Sequence, residues 1–462
     1  MYLRSLRIRH MKRFGDFTLS FEAADGTPRM WTVLIGENGT GKTALLQAIA
    51  LAEAGQRQVN TLARGVVCQL RDLRSDAPME IEAEFSLPTA QPGRLYTLPG
   101  TKAIQALDGP RPGVLTRVSL QPEEAALQSL SRYQDVTSVP DGFDPIDTVR
   151  SRQVQVPGWF VVGYGVARAL PDTGYRPEIE PPAIERMRPL FDPHKPLAST
   201  AFSVDFDADP ARRRAFDRLL KKALFHTDRL LPLVTDMELR GRSNAGGERA
   251  AIDDHFTQRV GAVDLKLSLR AMSNGYQSTV AWIADLIGHL VLAEWLPNTR
   301  NGPFPTELDQ LGGLVLIDEL DLYLHPTWQV VLVRALRETF PNLQFVATTH
   351  SPLVLAGLRP EADEIVQLAL DPETGDAVRV PPRPHVDPRL LSGTELYRTF
   401  FGIDDLYPDP AGKAFRAYRY LAANPYRSDA DEAALQRLRA ELTAEGIDPA
   451  YEPVTREKVP EP

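Results

Sequence analysis

The chain has 462 residues, 43% of them apolar and 24% charged, proportions of an ordinary globular protein and enough length for two to four domains. A formal net charge of −9 excludes a general polyanion binder, so any nucleic-acid contact has to come from a local basic patch. A single cysteine, Cys68, excludes intrachain disulfides and cysteine-built zinc sites, and the lack of a signal-peptide core or of an uncharged apolar run of membrane length sets the expectation of a cytoplasmic protein with no membrane partner.

In chain order, residues 3–9, 17–21 and 31–35 read as strands, with Asp25-Gly26 as a turn. Residues 44–54 read as an apolar helix. Residues 79–87 alternate Ile81, Ala83 and Phe85 with charges, the pattern of a half-exposed strand. Signals weaken from 88 to 155, where residues 123–130 suggest a helix. Residues 160–164 form a buried-type strand, and the proline-rich stretch 171–200 reads as loop. A helix with a basic face follows at 210–225. Strands at 237–240 and 263–269 are joined through a turn at 244–247. Residues 277–296 form a long helix, amphipathic and buried because Asp285, His289 and Glu294 interrupt it. An apolar strand at 312–317, a helix at 328–340 and another apolar strand at 344–348 complete an alternation that implies a largely parallel sheet covered by helices. After proline-rich residues 381–388, residues 392–446 look helical and polar.

Four motifs carry chemistry. Gly36-Glu37-Asn38-Gly39-Thr40-Gly41-Lys42-Thr43 is G-x-x-x-x-G-K-T between a strand and a helix. Its glycines let backbone amides turn inward as an anion nest, Lys42 reaches the β- and γ-phosphates of ATP, and the Thr43 hydroxyl ligates Mg²⁺. The strand ending in Asp318-Glu319 supplies a carboxylate for the Mg²⁺ shell and a second one, Glu319, to polarise the attacking water. His350, just beyond a parallel strand, lies where open α/β sheets bind ligands and can sense the γ-phosphate, although a lone histidine can equally be structural. Ser273, Gly275 and Gln277 open the long helix as a second anion site. One ATP cannot use two helix starts at the same γ-phosphate, so this site points to a second copy. An ordinary N-cap is the plain alternative.

The motif order resembles the ABC-type ATPase heads of the RecF, SMC and overcoming-lysogenization-defect group. IGENGTGKT is similar to the group's P-loop, MSNGYQS to a degenerate signature, LIDELDLYLHP to Walker B and D-loop with Asp321 at the D-loop position, and TTHSP to the histidine switch. The opening, LRIRHMKRFGDFTLSF, resembles the first hairpin of these heads. The fold so implied is a P-loop NTPase of α/β class, an ABC-type head with a mixed or parallel sheet covered by helices, an inserted helical lobe and a short helical C-terminal extension. The expected divisions are 1–90 for the P-loop lobe, 91–270 for the inserted region with a core strand near 160–165, 271–390 for the signature helix, Walker B, D-loop and switch, and 391–462 for the extension. The resemblance implies a head-to-head dimer in which Ser273 and Gly275 of one copy face the γ-phosphate held by Lys42 of the other. No clear Q-loop glutamine occurs. Similar bacterial ATPases carry Gly-Tyr-Gly and then arginine after the strand at 160–164, which implies that Arg168 touches phosphate or relays to the helical lobe; an arginine on a loop is the alternative.

The chain most resembles stand-alone bacterial ATPases of anti-phage defence, of the Septu type, through GYG-x-x-R, E-L-D-x-x-L-H-P and the polar helical C-terminus. Such heads work with a separate nuclease or toxin. A RecF-like DNA-repair clamp and a nucleotide-gated scaffold are the competing readings. No nuclease is visible: Asp404, Asp405 and Asp409 have the wrong spacing for a TOPRIM site. DNA contact, if any, falls to Arg7, Arg9, Lys12 and Arg13, or to Arg212, Arg213, Arg214, Arg218, Lys221 and Lys222, each of which can also be a solvated charged face.

Overall fold

The computed structural model describes residues 1–86, 113–134, 144, 146, 159–171, 182–206, 208–227, 230–239, 254–293, 305–381, 386–403 and 410–457. The expected turn at 244–247 and the carboxylates 404, 405 and 409 lie outside the described residues. Two compact units divide the chain, Met1–Leu396 and Tyr397–Pro462.

The first unit opens with β1 (Tyr2–Met11), β2 (Phe14–Ser20) and β3 (Trp31–Gly36), then α1 (Lys42–Ala54) and α2 (Gln56–Leu62). Strands β4 (Met79–Ser86), β5 (Gly113–Leu120) and β6 (Gln128–Tyr133) follow, and then β7 (Val161–Tyr164). Next come α3 (Pro210–Phe225), β8 (Val234–Glu238), β9 (His255–Val260), β10 (Val263–Ser268) and α4 (Asn274–Ala293). The unit closes with β11 (Gly313–Ile317), α5 (Pro326–Thr339), β12 (Leu343–Thr348), β13 (Glu364–Leu370) and β14 (Ala377–Arg379).

Two sheets hold the site between them. One is antiparallel, ordered β2-β1-β4-β5-β6; the other has six strands, ordered β14-β13-β3-β12-β11-β7. In the second sheet β13, β3, β12, β11 and β7 run parallel and only β14 is antiparallel. Helix α1 is buried on nearly every side because both sheets pack on it: one core joins Leu45 and Ile49 to Leu6, Ile81 and Val118 of the first sheet and to Leu316 and Val346 of the second. Strands sandwiched in this way read as continuous apolar runs, which is why β3, β11 and β12 are plain in the sequence.

Three expectations are corrected. Residues 123–130 are not a helix: residues 121–127 turn and Gln128 starts β6. Asn60 of α2 bonds the Leu127 backbone in both directions, at 2.7 and 2.8 Å, and Gln56 accepts from the Ser129 amide at 2.6 Å. Tertiary pairing thus overrides the local helix preference of Glu-Glu-Ala-Ala. The two strands expected around 244–247 are three: β9, whose only fully buried side chain is Phe256, lies between β8 and β10 and turns into β10 at Gly261. The stretch 171–200 is not all loop. Ile184, Met187, Leu190 and Phe191 are buried on short helical turns.

The second unit contains most of α6 (Gly393–Phe401), which crosses the division, with α7 (Pro410–Ala423) and α8 (Asp429–Ala444). It has its own core of Ala414, Tyr418, Ala422, Leu435 and Leu442. Among the described residues no helix of the chain is long and apolar enough to cross a membrane.

Candidate nucleotide site

The loop after β3 has a backbone that only glycine adopts at low cost. Gly36, Gly39 and Gly41 have φ of 149°, 81° and 93°. A Cβ on Gly41 would lie 2.8 Å from two carbons of the buried Phe14 ring, so the first hairpin props the loop from below. Helix α1 starts directly after Gly41, with no side-chain cap on its first amides. Those amides and the helix dipole favour an anion there. Glu37 and Asn38 are exposed and Thr40 is buried, its hydroxyl donating to the Glu37 carbonyl at 2.9 Å. Lys42 is buried beneath the loop, its ammonium donating to the Gly36 and Glu37 carbonyls at 2.8 and 2.9 Å. Burial lowers its pKa, while Asp318 and Glu319 pull it back up.

Strand β11 brings the carboxylates to this loop. The Thr43 hydroxyl donates to Asp318 Oδ2 at 2.8 Å. The Thr348 hydroxyl, at the end of the neighbouring strand β12, donates to Asp318 Oδ1 at 2.6 Å and accepts from the Glu319 amide at 2.7 Å. Thr348 therefore ties the Asp318 carboxylate to the backbone of Glu319. Glu319 has φ of 49°, a left-handed backbone that costs a non-glycine residue free energy, and it turns the chain out of the strand. Its side chain is half-buried.

Arg168 does not face outward from its loop. It is 4% exposed, and its guanidinium donates to the Asp318 and Glu319 carbonyls at 2.8 and 2.9 Å, with Nε 3.5 Å from the Ser278 hydroxyl of α4. Burial pulls its pKa down to about 10 against the opposing pull of Asp321, Asp318 and Glu319, so it stays charged at neutral pH. Its hydrogen bonds join the turn at Asp318 and Glu319 to helix α4.

Asp321 accepts from the Thr349 hydroxyl and from the His350 amide, the latter at 3.3 Å. His350 itself is exposed. The Ser351 hydroxyl donates to Gln329 Oε1 at 2.6 Å, and Gln329 Nε2 donates to the Leu324 and Asp321 carbonyls at 2.9 and 3.3 Å. In the sequence Thr348 and Thr349 stand only as part of TTHSP, with no role of their own, and Gln329 stands in no motif. The two threonines could have been found as hydroxyls at a strand end beside the histidine; Gln329 gives no signal before the helix α5 is placed.

At the start of α4, Ser273 is exposed and Gly275 is buried. A Cβ on Gly275 would lie 2.8 Å from the Tyr323 carbonyl oxygen, so the glycine lets the helix start close on the turn after Asp321. The Tyr276 and Trp328 rings meet edge to face at 4.9 Å, and Gln277 Nε2 bonds the Met272 and Arg270 carbonyls at 2.7 and 3.2 Å. Among the described residues no hydrogen bond joins Ser273, Gly275 or Gln277 to the P-loop of the same chain.

A hydroxyl and a carboxylate oxygen 2.8 Å apart at the mouth of an anion nest fit a Mg²⁺ ion that takes one or two protein oxygens and completes its shell with phosphate and water. No denser cluster of acidic, histidine or cysteine ligands occurs among the described residues. The sheet order, the glycine-lysine loop after β3 and the order of that loop, the Ser273–Gln277 helix start, the carboxylate pair and the histidine fit a P-loop NTPase fold of the kind found in ABC-type ATPase heads.

More particular likenesses follow. Residues 180–356 match a family described as AAA domain, putative AbiEii toxin, Type IV TA system. The chain is similar to the Septu protein PtuA of Bacillus mycoides (strain KBAB4), 24% identical over 96% of this chain and 50% of that protein. It is 41% identical to the Retron Ec83 probable ATPase of Escherichia coli over 25% of this chain and 19% of the relative. It thus spans about half the length, or less, of these curated relatives. A solved SMC head bound to the C-winged helix domain of ScpA aligns with a TM-score of 0.49 at 15% identity, over 82% of this chain and 98% of that one.

Proposed function

We propose that this chain binds ATP with Mg²⁺ and hydrolyses it in a composite site shared by two copies, and that turnover regulates a separate effector in bacterial anti-phage defence. One observation carries the enzymatic half: Asp318 accepts from the Thr43 hydroxyl of the loop and from the Thr348 hydroxyl, which in turn holds the backbone amide of Glu319. In this reading the amides of residues 36–43 cradle the phosphates and Lys42 moves from the loop carbonyls to the β- and γ-phosphates. Thr43 and Asp318 would hold the metal, which would supply positive charge to offset that of the phosphates. Glu319 orients the attacking water, and His350 faces the γ-phosphate. Ser273, Gly275 and Gln277 are presented to the second copy, and Asp321 ties its own turn to the histidine of the same copy. Arg168 holds the carboxylate turn from behind.

The defence role is supported by the similarity to PtuA along nearly the whole chain and to a retron ATPase over a quarter of it. The effector is expected to be a nuclease or toxin encoded separately. Direct DNA binding is not needed for this reading.

The test is a pull-down of tagged protein from its native host, comparing wild type with Glu319→Gln. The variant should bind ATP, fail to hydrolyse it and hold two heads together. Recovery of a nuclease or toxin with the trapped form supports the defence role. Recovery of DNA with replication and repair proteins alone replaces it with a RecF-like clamp, and unchanged hydrolysis overturns the assignment of Glu319.

A further inference from the structure

Helix α4 carries the signature at its start and, near its middle, a carboxyl that the site above does not use. Asp285 is 2% exposed. Its Oδ2 accepts from the Tyr164 hydroxyl and its Oδ1 from the Ser199 amide, each at 3.1 Å. Tyr164 ends β7, in register with Ile317, and its carbonyl accepts from the Asp318 amide at 2.8 Å. The Tyr164 ring also meets Trp282 of α4, centroids 5.9 Å apart. A continuous set of directional contacts therefore runs from the backbone of Asp318 through Tyr164 into the body of the signature helix.

An apolar side chain would fill this place without the desolvation penalty of a carboxyl. What a carboxyl adds is direction: two hydrogen bonds of fixed geometry set the rotation and axial position of the helix, whereas apolar contacts tolerate sliding. Ser199 reinforces the point. Its φ of 50° is a left-handed conformation that costs a non-glycine residue free energy, and it brings the amide that Asp285 accepts.

We propose that Asp285 is a positioning residue which, through Tyr164 and the Ser199 amide, sets where Ser273 and Gly275 are presented to the second copy. The proposal rests on the composite-site reading above. It assigns to one buried carboxyl the register between a copy's own carboxylate strand and the signature that it lends to its neighbour.

The test separates the two copies. One copy carries Ser273→Arg and supplies only a P-loop and carboxylates; the other carries Lys42→Ala and supplies only a signature. Neither should hydrolyse ATP alone, and their mixture should. Asp285→Asn is then introduced into one copy at a time. In the signature donor it should lower kcat of the mixture about tenfold with KM for ATP unchanged, because misplacing a transition-state contact costs rate and not ground-state binding. In the P-loop donor the loss should stay below about twofold. Tyr164→Phe removes a single hydroxyl and should show the same asymmetry, which keeps the test valid if the asparagine variant folds poorly. Equal losses from both placements overturn the proposal by marking general destabilisation. A loss confined to the P-loop donor overturns it by marking a local effect on the Asp318 turn, and no loss from either placement overturns it outright. A mixture that stays silent before Asp285 is changed overturns the composite-site reading, and the proposal with it.

Discussion

Gly41 and Glu319 both have positive φ, 93° and 49°, and the same loop-and-carboxylate site needs both. At Gly41 the conformation comes with a steric demand, since a Cβ would lie 2.8 Å from the Phe14 ring. Gly41→Ala should therefore destabilise the protein by about 2–4 kcal/mol, adding a left-handed backbone penalty to overpacking against a buried ring. A denaturant titration reads this directly, and nucleotide affinity should fall with it. Glu319 is the opposite case, a side chain kept in a conformation that suits glycine, with its amide held by the Thr348 hydroxyl at 2.7 Å. Strain of this kind persists where the surroundings enforce it and the site uses it. Glu319→Gly should raise the unfolding free energy by about 0.5–1 kcal/mol while hydrolysis disappears, the backbone relief slightly exceeding the entropy a glycine adds to the unfolded chain. Glu319→Gln should lose hydrolysis without that gain. A glycine variant less stable than the glutamine variant would mean that the side chain supports the fold.

Helix α4 shows how element-level polarity can hide in a pH profile. Asp285 and His289 are both buried on it, 3.5 Å apart. Burial pushes the Asp285 carboxyl up to about 7, against hydrogen bonds from Ser199 and Tyr164 that pull it down. Burial pulls the His289 imidazole down to about 3, with Arg186 adding to the effect. A raised carboxyl favours the folded state at low pH and loses that contribution as pH rises from about 4 to about 7; a lowered imidazole does the reverse, losing stability as pH falls from about 6.5 to about 3. The two slopes oppose each other over nearly the same range, so wild type should show a shallow profile between pH 4 and 6.5. Asp285→Asn should leave the histidine slope alone, with the thermal midpoint rising with pH across that window. His289→Phe should leave the carboxyl slope, with the midpoint falling. Parallel profiles for both variants would remove the idea of paired burial. Neither group was assigned a role from the sequence, where they served only to rule out a membrane span. What was legible at this scale were elements whose chemistry is local: the glycine-lysine loop, the Asp318-Glu319 strand end, and the apolar runs of β3, β11 and β12 that carry them. What was not legible depends on partners far along the chain. Strands β6 and β9 have few buried side chains and form because neighbours pair with them. Thr348 acts on residues some 30 positions away, and Arg168 recognises backbone carbonyls, which leave no trace in sequence.

The whole molecule's charge is distributed in a way that bears on DNA. The sequence offers two basic groups, and in the fold both are interleaved with acids. Arg7 pairs with Asp16 at 2.6 Å, Arg9 pairs with Glu80, and Lys12 donates to Gln47 at 2.9 Å. On α3, Arg213 pairs with Asp217 at 2.9 Å, Lys221 with Asp236 and Lys222 with Glu307, each at 2.5 Å. The groove beside α3 is lined by Arg218, Lys221, Lys222 and His226 but also by Glu307, Asp309 and Glu338. Exposed pairs of this kind contribute little to stability, yet their acids repel phosphate at the distance where the bases would attract it, and the net charge of −9 adds to that repulsion. Counterion release gives a salt slope of about −0.9 per phosphate neutralised. Interleaved charges should engage at most two or so phosphates, so the logarithm of affinity for a generic duplex should fall against the logarithm of salt with a slope no steeper than about −2. Reversing Lys221 and Lys222 to glutamate should leave that slope within error. A slope beyond about −5 that collapses on this reversal would establish α3 as a phosphate-binding face and move the molecule's load from a protein effector to DNA. A flat slope that is indifferent to the reversal leaves recognition to a protein partner, as expected of a head in which Arg7, Arg9, Arg213, Lys221 and Lys222 are already paired with its own carboxylates.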